Sequence, residues 1–227
     1  MKISPFFYVL PVAAVCIVAN EPVMATPEDI VLDSADTIVS FVESRTERIP
    51  RYLIRQAQAI AIVPKVISAG FIFGGTSGDG VLLLRDERGQ WGNPAIVSIS
   101  AGSVGLQIGA KSTDVVLLFM NKRSARSALR ESFTLGGNVS VAAGPLSKDP
   151  VNPSDAPGRT DVFSYSRSEG LFAGVALEGA KLGFERDLTQ DLYQRRSLSI
   201  RQVFDDRTLR APSVIRELHQ ALYNAQR

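Results

Sequence analysis

All 18 glycines of this 227-residue chain fall between Gly70 and Gly183. Glycine weakens helices but is tolerated in twisted, bulged or closely packed strands. The chain therefore reads as two helical flanks around a glycine-rich β centre. In the N-terminal flank, Thr26-Pro27-Glu28-Asp29 supplies a capping residue, a proline at the first helical position and acids in the first turn. Val31, Ala35, Ile38 and Val42 follow at helical spacing, so one face is apolar. Pro50 opens a second short helix carrying Leu53, Ile54, Ala57 and Ala61. In the C-terminal flank, Pro212 precedes an amphipathic helix with Val214, Ile215, Leu218 and Leu222.

Between the flanks lie short apolar or alternating runs: Ala69–Phe73, Val81–Arg85, Ala95–Ala101, Leu106–Lys111, Val115–Met120, Val139–Ala143, Asp161–Tyr165, Leu171–Leu177 and Ala180–Phe184. The segment Asp86-Glu-Arg-Gly89 marks a hairpin turn. Asn121–Glu131 reads as a polar helix and Pro145–Arg159 as a long loop. Closely spaced strands without crossover helices predict an α+β fold: an antiparallel β sandwich or partly open barrel flanked by N- and C-terminal helices.

The first 25 residues have the three-part pattern of a secretory signal: Lys2, an apolar run from Phe6 to Ala19 broken by Pro11, and small residues at Val23 and Ala25. The expected boundaries are a signal peptide over 1–25, an N-terminal helix over 26–49 and the main domain over 50–227. The product is expected beyond the inner membrane, in the periplasm and peripheral to a membrane; an uncleaved anchor is the alternative. Cleavage after Ala25 removes Cys16, the single cysteine, and takes Lys2 and Glu21 together, so the net charge stays at +2. With one histidine left, cysteine–histidine zinc sites, cysteine nucleophiles and histidine-rich metal sites are excluded. No metal or cofactor is expected. The near-balanced charge gives no nucleic-acid signature.

His219 is expected on the solvated side of the last helix. No Gly-x-Ser-x-Gly elbow occurs, so a serine hydrolase has no nucleophile motif. Gly74-Gly-Thr-Ser-Gly-Asp-Gly80 lacks the Gly-Lys-Ser/Thr ending of a phosphate loop and runs into a strand, which favours a structural role. Asp79, Asp114, Asp161 and Glu178 near strand ends offer no spacing that selects a catalytic pair. No catalytic residue is expected. Trp91 is either a membrane-interface anchor or, as favoured, a core plug with its N–H bonded to backbone. Arg45, Arg48, Arg51 and Arg55 recur every three or four residues, with Lys65 following. Such a basic amphipathic segment either lies on an anionic bilayer or docks on the core with a solvated face.

Several strings together resemble the SYLF domain family. They include Ile60-Ala-Ile-Val-Pro-Lys65, Ala69-Gly-Phe-Ile-Phe-Gly-Gly75, Gly89-Gln-Trp91 to Pro94, Gly105-Leu-Gln-Ile-Gly-Ala110, Ala142-Ala-Gly-Pro145, Phe163-Ser-Tyr-Ser-Arg167 and Gly170-Leu-Phe-Ala-Gly174. The match runs from about Pro50 to Gln226. The resemblance implies a non-enzymatic lipid-binding domain; some fungal members of the family bind actin. It departs from the family after Asp187, where Asp191-Leu-Tyr-Gln-Arg-Arg196 replaces the usual continuation. The expected lipid site is Arg51, Arg55 and Lys65 drawing headgroup phosphates, with Leu53 and Ile54 inserting shallowly; a second version holds an acyl chain in the β core. The expected partner is anionic phospholipid or a membrane surface. The alternative is an envelope structural or protein-interaction module without direct lipid binding.

Overall fold

A computed structural model describes residues 25–44, 48–70, 73–104, 109–137, 139–144, 160–168, 177, 179–206, 208–209 and 211–227. Residues 1–24 of the signal segment, Arg45, the Pro145–Arg159 loop, residues 171–176 of the Leu171–Leu177 run and Glu178 lie outside those residues.

Helix α1 spans Pro27–Glu43 and starts where its capping chemistry dictates. The Thr26 hydroxyl accepts from Asp29 N, and the Asp29 carboxylate accepts from Thr26 N, a reciprocal capping box. Its inward stripe, with Val31, Ile38 and Phe41 wholly buried, packs on the sheet and on the last helix. Helix α2 is short, Arg51–Gln56, and ends before Ala57. Ala61, expected on this helix, lies instead in strand β1 (Ala59–Gly70). The run Ala59–Val63 is buried on both faces. A continuous apolar run carries no alternation to separate a buried strand from a helix, so its period misleads.

Strands β2 (Phe73–Leu84) and β3 (Ala95–Val104) follow β1 as a meander, and β4 (Gly109–Phe119) returns to pair with β1. The resulting order 3-2-1-4 is a Greek key. Helix α3 (Lys122–Ser127), capped by Asn121, and strands β5 (Ser132–Thr134), β6 (Val141–Ala143), β7 (Val162–Ser168) and β8 (Lys181–Phe184) come next. The eight strands form one sheet, β5-β8-β3-β2-β1-β4-β7-β6, curled into half a barrel. Of the two expected architectures, the partly open barrel is the one found. Every pair is antiparallel except β6–β7, which is parallel.

The glycine-rich motif lies entirely within β2. A Cβ at Gly80 would stand 2.1 Å from Ile62 O and 2.6 Å from Val63 Cα, and one at Gly78 would stand 2.9 Å from Val66 Cα. These glycines let β2 approach β1 around its bulge, where Lys65 adopts a left-handed φ of 50°. The structural reading of the motif holds.

Two helices absent from the sequence reading, α4 (Arg186–Leu192) and α5 (Ile200–Asp205), pack against β3. Helix α6 (Ser213–Gln226) closes the chain, lying along α1 and against α2. Its Ile215, Leu218 and Leu222 are wholly buried, as their spacing requires.

Candidate functional site

The end of β2 supplies the central group. Arg85 follows Leu84, and its guanidinium is clamped by the backbone around it. Nε donates to Ala57 O at 2.8 Å and Nη2 to Ile54 O at 2.9 Å, both at the end of α2. Nη1 donates to Gly89 O in the β2–β3 turn, and Nη2 also reaches Gln226 Oε1 on α6 at 2.8 Å. That turn is set by Asp86, whose Oδ1 accepts from Arg88 N and Gln90 N, and by Gly89 at φ 76°. Burial pushes the Arg85 guanidinium below its ordinary range. All four acceptors are neutral, so the charge is solvated by dipoles but not cancelled.

Two further cations come from α2. Arg51 Nη1 donates to Asn224 O at 3.0 Å and Arg55 Nη1 to Gln226 O at 3.1 Å. Both carbonyls belong to the last turn of α6, where the helix dipole favours positive charge; Asn224 O also accepts from Arg227 N at 3.2 Å. From α6 and its C-cap come Arg216 and Arg227. Arg55, Arg85, Arg216 and Arg227 line one groove of about 520 Å³, together with Trp91 and Tyr223. Arg85 stacks on Trp91, its Cζ 3.9 Å from the ring centroid, and Arg227 lies 5.6 Å from the ring of Tyr223, which is 54% exposed. No carboxylate side chain lines the groove, and the five ion pairs recorded among the described residues lie elsewhere. Four guanidinium groups around one concavity, none of them in an ion pair among the described residues, give it a positive field that favours anions.

A larger hollow of about 760 Å³ lies against α4 and α5, and it differs in charge. Asp187 and Asp191 stand among its arginines; Arg186 pairs with Glu131 and Arg195 with Asp206 at 2.6 Å. Size alone therefore does not select the site; uncancelled charge does. Among the described residues there is no cluster of metal-ligating side chains, and no helix is long and apolar enough to cross a membrane.

The expected site residues divide three ways. Arg55 lines the groove and Arg51 stands one turn before it on α2. Leu53 and Ile54 are wholly buried in the core, so their spacing marks the docked face of α2. Lys65 belongs to another cluster: its Nζ pairs with Asp33 of α1 at 2.7 Å, and its N–H donates to Asp114 Oδ1 at 3.0 Å. Asp114 also takes Arg167 at 2.9 Å, and Arg167 lies 5.3 Å from the Phe41 ring. The hydrogen bond that Nζ donates to Asp33 raises the Lys65 pKa despite partial desolvation. This cluster fastens α1 to the sheet.

Two expectations are corrected. His219 is half-buried, with Nε2 2.9 Å from Gly92 O, because the β2–β3 connection folds back over α6. Trp91 is half-buried under Arg85, and its buried Nε1 has no hydrogen-bond partner. Sequence reasoning missed Arg85, Arg216 and Arg227. The periodicity of Arg216, Gln220, Tyr223 and Arg227 at steps of four, three and four residues puts them on one face of α6 and was the available signal. Arg85 carried none, since its partners come from α2 and α6.

Residues 100–225 match the Ysc84 family, described as Las17-binding protein actin regulator. An SH3 domain-containing protein of Schizosaccharomyces pombe is 39% identical over 165 residues, covering 69% of this chain and 38% of the relative. Protein YSC84 of Saccharomyces cerevisiae is 34% identical over 182 residues, covering 77% and 39%. The SH3 domain-containing YSC84-like protein 1 of Xenopus laevis is 30% identical over 187 residues, covering 82% and 55%. The chain thus spans about two fifths of the yeast relatives and about half of the frog one.

Proposed function

Taking as premise that this chain belongs to the Ysc84 (SYLF) family, we propose that it is a non-enzymatic module that attaches to membranes carrying anionic phospholipid. The observation that carries the reading is the groove of Arg55, Arg85, Arg216 and Arg227, which gathers four guanidinium groups without one carboxylate side chain. Headgroup phosphates accept from these forks, and Arg51, one turn before Arg55 on α2, adds to the field that draws an anionic surface. Because Leu53 and Ile54 are enclosed, the apolar contact falls to Tyr223 and Trp91 beside the groove, aromatic residues suited to headgroup depth. Acyl-chain capture in the β core is the lesser version, since side chains fill both faces of the central strands.

Co-sedimentation tests the reading. The chain is expected to pellet with phosphatidylglycerol vesicles and not with phosphatidylcholine vesicles, and Arg216→Ala combined with Arg227→Ala is expected to weaken pelleting. Equal or absent binding to both vesicle types overturns it. Retained capture of a protein partner in that case favours the protein-interaction alternative, in line with relatives named for binding LAS seventeen.

The location proposed is the exported side of the inner membrane. The first described helix is capped by Thr26, the residue that cleavage after Ala25 leaves first. N-terminal sequencing of protein from its native host is expected to begin at Thr26; a chain beginning at Met1 overturns this part.

A further inference from the structure

The groove already contains oxygen acceptors from the protein itself. Gln226 presents two of them: Oε1 accepts from Arg85 Nη2 at 2.8 Å, and its main-chain O accepts from Arg55 Nη1 at 3.1 Å. Two oxygens facing two guanidinium groups is also the arrangement that a phosphoryl group makes with an arginine pair. The side chain is steadied from behind, where Nε2 donates to Leu222 O at 2.9 Å.

The Arg85 donors show why this residue matters more than its neighbours. A guanidinium has five N–H groups. On Arg85, one faces each of Ala57 O, Gly89 O and Ile54 O, and one faces Gln226 Oε1. Three of those acceptors are backbone carbonyls held by α2 and the β2–β3 turn. Only the Gln226 carboxamide can leave by rotating a side chain. The adjoining wall also holds the buried indole N–H of Trp91, a donor without an acceptor among the described residues. An ionised phosphoryl oxygen accepts more strongly than a neutral amide oxygen, so exchange at this fork favours the anion.

We propose that the Gln226 carboxamide is a built-in stand-in for the ligand: it occupies Arg85 Nη2 beside Arg55 and yields to a phosphoryl anion, so that it sets the affinity of the groove. The proposal rests on the membrane-binding reading and adds its regulation. The shared chemistry is a phosphoryl anion, presented either by a lipid headgroup or by a soluble phosphate ester.

The test compares the full chain with Gln226→Ala and Gln226→Glu. Binding is measured to phosphatidylglycerol vesicles by co-sedimentation and to glycerol 3-phosphate by calorimetry, and urea unfolding controls for the fold. Gln226→Ala removes the competitor and is expected to tighten binding roughly tenfold, the equivalent of about 1.4 kcal/mol. Gln226→Glu installs an internal anion and is expected to weaken binding by a similar factor. Changes in both arms identify a site open to free phosphate esters; changes in the vesicle arm alone identify a surface-presented headgroup. Wild-type binding with unchanged affinity in both folded variants overturns the stand-in and leaves the membrane reading intact. If neither probe binds wild type or variants, both fall. If Gln226→Ala does not fold, the Gln226→Glu result decides alone, tighter or unchanged binding overturning the proposal.

Discussion

The groove at the end of α6 and the hollow beside α4–α5 are both open, arginine-lined and several hundred cubic ångströms in volume. They differ in where the counter-charge comes from. In the hollow, Arg186 and Arg195 meet Glu131 and Asp206. In the groove, Arg85 meets only neutral oxygens, and Arg55 donates to a helix-end carbonyl. The same residue type therefore closes a surface in one place and leaves a field directed at solvent in the other. Arginine content predicts neither outcome; what decides is whether a carboxylate folds within reach.

The sharpest test of that contrast is stability. Replacing Arg85 by Ala strips donors from Ala57 O, Ile54 O and Gly89 O together. Ala57 O and Ile54 O are part-buried while Gly89 O lies in an exposed turn, so with each buried unsatisfied acceptor costing about 1–3 kcal/mol the loss is expected to reach about 2–4 kcal/mol in urea unfolding. Arg186→Ala breaks an exposed pair and is expected to cost at most about 1 kcal/mol. Comparable losses would mean that Arg85 is not the structural centre of the groove.

Binding gives the next largest contrast. Each cation near an anionic surface adds about 1 kcal/mol, so Arg216→Ala with Arg227→Ala is expected to weaken phosphatidylglycerol vesicle binding by roughly thirtyfold. Arg186→Ala with Arg195→Ala removes as many cations from the hollow and is expected to leave binding within about twofold, since their charge is already met by acids. Equal losses from the two double variants would show that net charge, not the groove, governs association.

Acid gives the smallest effect and separates the regions in the other direction. The Thr208 hydroxyl and the Arg195 guanidinium hold the Asp206 carboxyl down to about 2. A carboxyl whose folded pKa lies below its unfolded value of about 3.9 stabilises the fold above that value. The contribution fades as pH falls from about 4 through about 2. Urea midpoints measured from pH 6 to pH 2 are expected to fall less steeply for Asp206→Asn than for wild type. Identical acid slopes would show that Asp206 is not held as the hollow's geometry indicates. Asp161 acts in the same sense elsewhere: burial raises its pKa, but the N–H of Ser140 and the side chains of Asn121, Ser140 and Arg123 outweigh this and set it low.

The sequence by itself determined what depends on near neighbours. Glycine confined between Gly70 and Gly183 meant sheet between helical flanks. The Thr26–Asp29 capping box and the apolar stripes of Val31 to Val42 and Ile215 to Leu222 fixed the outer helices. The strings Ile60 to Lys65 and Ala69 to Gly75 placed the chain in its family. Local signals ran short at β1, whose unbroken apolar run has no face to reveal, and at α4 and α5, whose apolar positions are few. The tertiary structure decided the site. It buried Leu53 and Ile54, drew Lys65 away to Asp33, and brought Arg55, Arg85, Arg216 and Arg227 to one groove across 172 positions of chain. Periodicity records which way a side chain faces within its own element. Whether a guanidinium finds a carboxylate, a carbonyl or open solvent depends on elements far apart in sequence, and that is settled only when they pack.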